Sequence, residues 1–321
     1  MQTIVECVPN FSEGRERRTV DEIAAAIESV PGVFVLDLHM DPDHHRSVVT
    51  FAGSKESVSE AAVRAAGKAA ERIDMTRHSG EHPRVGATDV VPFVPVRGVT
   101  LEECAEIAHE AGREIAQRYG IPVYFYGAAA LRPERVRLED IRRGGYERLR
   151  ELGLDDPSRT PDAGPARLHP TAGATIVGAR PYLVAFNVNL DSADRAAARA
   201  IARAVRASSG GLPGVKAMGV LLRSRRVKEQ TGQAQVSMNL TDLNQTSVVV
   251  AYRAVEREAA KLGVAIHSSE IVGLVPQEAL EGVHPEAIKL ADFSPEKILE
   301  NRLAAVFKSR EPERGHAPLG G

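Results

Sequence analysis

The chain has 321 residues, 43% of them hydrophobic and 26% charged, with a formal net charge of -2. That balance suits a globular protein with a sizeable core, excludes a strongly basic nucleic-acid binder, and offers no apolar run near the roughly 20 residues of a membrane span. Two cysteines, Cys7 and Cys104, exclude a disulfide scaffold and a cysteine-built zinc site, and "MQTIVECVPNFSEG" has no secretion-signal character, so a cytoplasmic protein with neither nucleic-acid nor membrane partners is expected.

Runs rich in β-branched and aromatic residues predict strands over 3–8, 33–38, 47–52, 90–96 and 123–126. Thr19-Val20-Asp21-Glu22 has the capping-box pattern and predicts a helix from there to residue 29. The alanine-rich stretch 54–73 reads as a second helix, and Thr100-Leu101-Glu102-Glu103 opens a third that Gly120 ends. From 152 to 173 periodicity disappears into "LGLDDPSRTPDAGPARLHPTAG", a linker or an ordered binding loop.

Regular patterns then restart with a strand over 182–189, a helix over 192–208, and strands over 215–222 and 235–240. A helix over 245–262 with Gly263 behind it, a strand over 265–275, and a last helix opened by Ser294-Pro295 and running to 309 complete the chain before a loose tail, 311–321. "IVECVPNFSEG" and "LVAFNVNLDSAD" begin alike, each a strand followed by an asparagine and a capped helix. The expected fold is α+β: two related α/β subdomains, 1–178 and 179–321, each a mixed, largely antiparallel sheet with helices on one face, a ferredoxin-like duplication.

The stretch "RHSGEHPRVGATD", 77–89, sets His78 and His82 four apart, the spacing of a helical zinc site. Gly80 between them and Pro83 after the second disfavour a helix, and no spacing supplies a third ligand. A near-neutral proton acceptor on a stiff loop flanked by Arg77 and Arg84 suits acid–base chemistry on an anion instead. A metal-dependent hydrolase using His44, His45, His78 and His82 is the rival reading of the same residues.

Longer motifs run through nearly the whole chain: "VECVPNFSEG" (5–14), "RHSGEHPRVGATDV" within 73–99, "PVYFYG" (122–127), "GATIVGAR" (173–180), "AFNVNL" (185–190) and "VGLVP" (272–276). In these the chain resembles the glutamate formimidoyltransferase family, in its standalone form without the cyclodeaminase module. The resemblance implies transfer of the formimino group from N-formimino-L-glutamate to tetrahydrofolate, with or without a polyglutamate tail, giving 5-formiminotetrahydrofolate and glutamate in histidine breakdown. It implies a homodimer, with tetrahydrofolate as acceptor substrate and no metal.

By the same resemblance His82 is the catalytic base, and His78 positions or supports it. The folate-contacting loop is Gly164, Pro165, Ala166, Arg167, Leu168, His169, Pro170, Thr171, Ala172 and Gly173, with His169 replacing an apolar residue of the animal enzymes. The carboxylate expected to orient the base falls at His39, so Asp37, Asp41 or Asp43 is the candidate substitute. His45-Arg46 stands where animal members have Asn-Arg.

Arg46, Arg77, Arg84 and Arg180 are candidate forks for substrate carboxylates, and Asn10 is either a helix cap or a substrate contact. Phe11, Tyr124, Tyr126 and Phe186 are read as core before pterin stackers. A formyl or non-glutamate donor, and a folate-binding protein without catalysis, are the remaining alternatives.

Overall fold

The computed structural model describes residues 3–80, 83–291 and 293–308; the expected base, His82, and the expected loose tail lie outside them. A first β-α-β-β-α-β unit comprises β1 (Ile4–Cys7) with its short continuation β2 (Asn10–Phe11), α1 (Arg17–Glu28), β3 (Phe34–Asp41), β4 (Arg46–Gly53), α2 (Lys55–Arg72) and β5 (Thr88–Arg97). Its strands lie side by side as β3-β4-β1-β5, all antiparallel, with β2 sharing the slot of β1. The chain continues through α3 (Leu101–Tyr119), β6 (Val123–Gly127), α4 (Leu138–Ile141), α5 (Gly145–Leu152) and β7 (Thr175–Ala179). Strands β7 and β6 widen the sheet beyond β5 with parallel pairing, which makes this sheet mixed.

The second unit repeats the pattern with β8 (Val184–Leu190), α6 (Arg195–Val205), β9 (Val215–Val227), β10 (Gln230–Leu240), α7 (Val248–Lys261) and β11 (Ile266–Val272). Its sheet, ordered β11-β8-β10-β9, is antiparallel among the described residues. Counted within each unit, both sheets place the fourth, first, third and second strands side by side. This is the ferredoxin-like duplication expected from the two similar strand starts. A final helix, α8 (Leu299–Lys308), returns to the first sheet, where Arg302 Nε donates to the Leu36 carbonyl at 2.9 Å and Phe307 packs edge-on to Phe34.

Local signals set most helix ends. Thr100 and Glu103 form the capping box at α3, Gly120 closes that helix at φ 65°, and Ser54 caps α2. Two expectations fail. Helix α1 starts before Thr19: Glu13 Oε1 accepts the Arg15 and Glu16 amides in the turn just ahead of it, and Thr19 lies inside the first turn with its hydroxyl donating to Glu16 Oε2. Pro295 opens a single 3-10 turn instead of the last helix; Ile298 is extended and α8 begins after it.

In the strands, alternate residues face the helices and form the cores: Val5, Cys7, Phe51 and Phe93 in the first half, Val184, Phe186, Val188 and Leu190 in the second. The opposite faces meet. Ile4, Leu36 and Ala52 of the first sheet pack against Leu274, Leu299 and Leu303 of the second half.

Glu6 stands on that inner face beside Ala52 and Val94, 1% exposed, and neither carboxyl oxygen has a hydrogen-bond partner. Burial pushes its pKa up to about 7, against the attraction of Arg180 and with some help from Glu300. The folded state therefore holds this proton more tightly than the unfolded chain does, so stability falls as pH rises from 4.5 through 7. Replacing Glu6 by Gln should recover on the order of 3 kcal/mol at pH 8 and little at pH 4, read as a melting-temperature gain of several degrees confined to the alkaline side.

Candidate functional site

The candidate site lies where the turn between β3 and β4 meets the loop between α2 and β5. His45 heads that turn at φ 49°, a left-handed conformation that few side chains adopt. Its ring stacks on His78 with centroids 4.2 Å apart and planes 16° from parallel. His45 Nδ1 reaches the Ser79 carbonyl at 2.8 Å, and its Nε2 lies 3.4 Å from Glu13 Oε1. His78 Nε2 reaches the His45 carbonyl at 3.0 Å, while its Nδ1 accepts from Arg84 Nε at 3.0 Å. Burial brings the His78 pKa down to about 4, its bond to the His45 carbonyl opposing the fall and the charge on Arg84 adding to it.

Arg84 is 9% exposed, and Glu147 of α5 grips its two terminal nitrogens at 3.0 and 2.6 Å. A second ion pair of reversed sense, Arg142 to the buried Asp89, fixes the same helix pair to the start of β5. The aperiodic stretch is ordered around this loop. Met75 N–H donates to the Thr171 carbonyl at 2.8 Å before it, and Ala87 N–H to the Ala172 carbonyl at 2.8 Å after it. His169 Nδ1 accepts the Thr171 and Ala172 amides, so this imidazole builds the loop's own turn.

Two cavities border the loop and the turn. One, of about 390 Å³, is lined by Met75, Thr76, His78, Tyr146, Glu147, Arg150 and Glu151. The other, of about 180 Å³, opens between the two sheets: His39, Asp41, His44 and Arg46 form one wall, and Asn187, Lys216, Met218, Ser237 and Asn239 stand opposite. Burial, with Arg142 nearby, lowers the Arg46 pKa to about 10, which still leaves a cation at neutral pH. Lys216 pairs with Glu139 of α4 at 2.8 Å, and Asp43 accepts both the Ser224 amide (2.9 Å) and its hydroxyl (2.5 Å), so both walls are tied across the gap.

Residues 4–180 match the family model described as the formiminotransferase domain, N-terminal subdomain, and residues 185–285 match that of the formiminotransferase domain. The chain belongs to the formiminotransferase family. It is 44% identical to the glutamate formimidoyltransferase of Streptococcus pyogenes over 94% of this chain and 99% of that one. It is also 44% identical to the glutamate formimidoyltransferase of Thermoplasma acidophilum, over 94% and 97% of the two chains. The formimidoyltransferase-cyclodeaminase of Mus musculus is 44% identical over 87% of this chain and 51% of its own. The protein is thus a formimino-group transferase.

Within this formiminotransferase the residues singled out from sequence separate into groups. His45, His78 and Arg84 interlock as described, and His39 and Arg46 line the cavity between the sheets. Burial holds the His39 pKa below its ordinary value, opposed by Asp41 and then Asp37. Of the three candidate carboxylates, Asp41 lines that cavity and shapes the turn by accepting the Asp43 and His44 amides, whereas Asp43 is committed to Ser224. Arg77 is exposed, and Arg180 bonds the Pro181 carbonyl and lies near Glu6.

Asn10 caps no helix, because it lies in β2 and its amide donates to the Val8 carbonyl at 3.0 Å. Phe11 and Phe186 are fully buried, and Tyr124 and Tyr126 nearly so, as core residues.

Sequence reasoning missed Glu13, Asp89, Arg142 and Glu147, and the whole opposite wall. A signal for that wall existed. In "AFNVNL" and "QAQVSMNL" polar residues alternate with core ones, and Asn187, Asn189, Gln235, Ser237 and Asn239 fall on one face of the second sheet.

Gly80 carries the contact between loop and turn: a Cβ there would stand 2.5 Å from the His44 carbonyl oxygen and 2.9 Å from the His45 Cβ. Gly80→Ala should therefore cost about 1–3 kcal/mol in thermal unfolding and depress turnover with it.

Proposed function

We propose that the chain moves the formimino group of N-formimino-L-glutamate onto tetrahydrofolate, with His82 as the base. The reading is supported by membership of the formiminotransferase family and by one observation above all. The loop that carries His82 and the turn packed on it border two cavities, His78 lining one and His44 the other. A two-substrate transfer needs the attacking amine and the formimino carbon in contact beside one proton carrier, and holding both in place is worth up to roughly 7–11 kcal/mol in well-oriented cases. The larger cavity lies against Met75, which bonds the loop Gly164–Gly173 assigned to folate, and the smaller one carries Arg46 and Lys216 for an anionic partner.

The chemistry balances with one imidazole. An amine of the reduced pterin attacks the formimino carbon, and a C–N bond forms. The tetrahedral adduct then expels the glutamate nitrogen. The proton released by the attacking amine is taken by the base and returned to the departing one. Subdomain 1–178 supplies the base, and subdomain 179–321 the facing polar wall. The same reading makes the protein a homodimeric cytoplasmic enzyme of histidine breakdown.

His82→Ala should fold like the parent and lose about 100- to 10,000-fold in turnover, whereas His78→Ala should lose less. Both are assayed with N-formimino-L-glutamate and tetrahydrofolate; parental turnover in both variants would remove the base assignment.

A further inference from the structure

The hydrogen bonds around the histidine stack admit one arrangement of protons. A guanidinium has five donors and no acceptor, so Arg84 Nε, 3.0 Å from His78 Nδ1, obliges that nitrogen to carry a lone pair. The proton of His78 is then on Nε2, where it meets the His45 carbonyl at 3.0 Å. That carbonyl in turn belongs to a residue held at φ 49° and stacked face to face on the same ring. His45 Nδ1 faces a carbonyl, that of Ser79, and so carries a proton as well.

Everything in this chain follows from where Arg84 points. Glu147 decides that, gripping both terminal nitrogens, while the second of these also reaches the His78 carbonyl at 3.1 Å. Glu147 comes from α5, a different segment, and its side chain is 62% exposed, so its loss empties no core. The adjoining Tyr146 amide donates to the Arg84 carbonyl at 2.7 Å and holds the two segments together independently.

We infer that Glu147, through Arg84, is a positioning residue of the transfer reaction: it fixes His78 as the Nε2–H tautomer and thereby holds the turn 42–45 against the loop that begins at His78. The consequence is a division of labour between two histidines four apart. His78 has both ring nitrogens engaged and takes no part in proton transfer, leaving that role to one imidazole. The role in turnover rests on the reading of His82 given above; the tautomer does not.

The test is made on the intact chain labelled with 15N-histidine. His78 should show a lone-pair Nδ1 and a protonated Nε2, unchanged from pH 8 to pH 5. Glu147→Ala should mix the two tautomers and lower kcat about 10- to 100-fold with KM little moved, with Glu147→Gln intermediate. His78→Leu keeps side-chain bulk but gives Arg84 Nε no acceptor. In that background Glu147→Ala should have no further effect on kcat.

A parent His78 protonated on Nδ1, a tautomer indifferent to loss of Glu147, or additive losses in the double variant would each overturn the inference. If the tautomer behaves as stated while His82→Ala keeps its turnover, the base assignment falls and the fixing of His78 stands.

Discussion

Each half of this molecule packs its long helices on one face of its sheet, and the opposite face must be covered by something. On the first sheet α4 and α5 cover the end at β5, β7 and β6, α8 covers part of the other end, and the remainder faces the second sheet. Apolar contact of Ile4, Leu36 and Ala52 with Leu274, Leu299 and Leu303, which follow the last strand of the second sheet, joins the two halves. Elsewhere the facing side chains are polar, and a gap lined by both sheets remains. Burying such groups is tolerable because they bond one another. Burial works against the charge on Glu270, but Arg225 and the Asn187 amide outweigh it and its pKa is lowered. The arrangement converts a packing requirement into a polar cleft.

Charge placement follows the same logic around the loop at 77–89. Arginines beside the histidines suggest forks for a substrate, and one of them, Arg84, is spent on the protein itself. Its partner Glu147 and the crossed pair of Asp89 with Arg142 tie α4 and α5 to the loop, and Glu139 ties α4 onward to Lys216 of the second sheet. A short helical segment without strong sequence periodicity thus connects loop, core and opposite wall.

The two repeated units were readable because their signals are local: β-branched runs, Ser54 and Thr100 as caps, and Gly120 as a stop. The cleft-facing asparagines were readable in principle as a two-residue alternation. What escaped were pairs far apart in sequence, Arg84 with Glu147 and Asp43 with Ser224, which no local rule joins. The start of α1 escaped for a related reason. Glu13 folds the turn just ahead of the helix by accepting the Arg15 and Glu16 amides, which leaves Thr19 inside the first turn. The motif that named the family did carry the site's address, since the histidine loop and the stretch from Gly164 to Gly173 are laced together at Met75 and Ala87.

A backbone turned to positive φ filters which residues can occupy it. At position 45 the tolerated set is short: glycine, asparagine, aspartate and histidine sit there at little strain, while valine, isoleucine and threonine are shut out. Histidine meets that geometric demand and adds a ring to lie against His78, which asparagine would not offer. The bend limits the choice, and the stack selects within it.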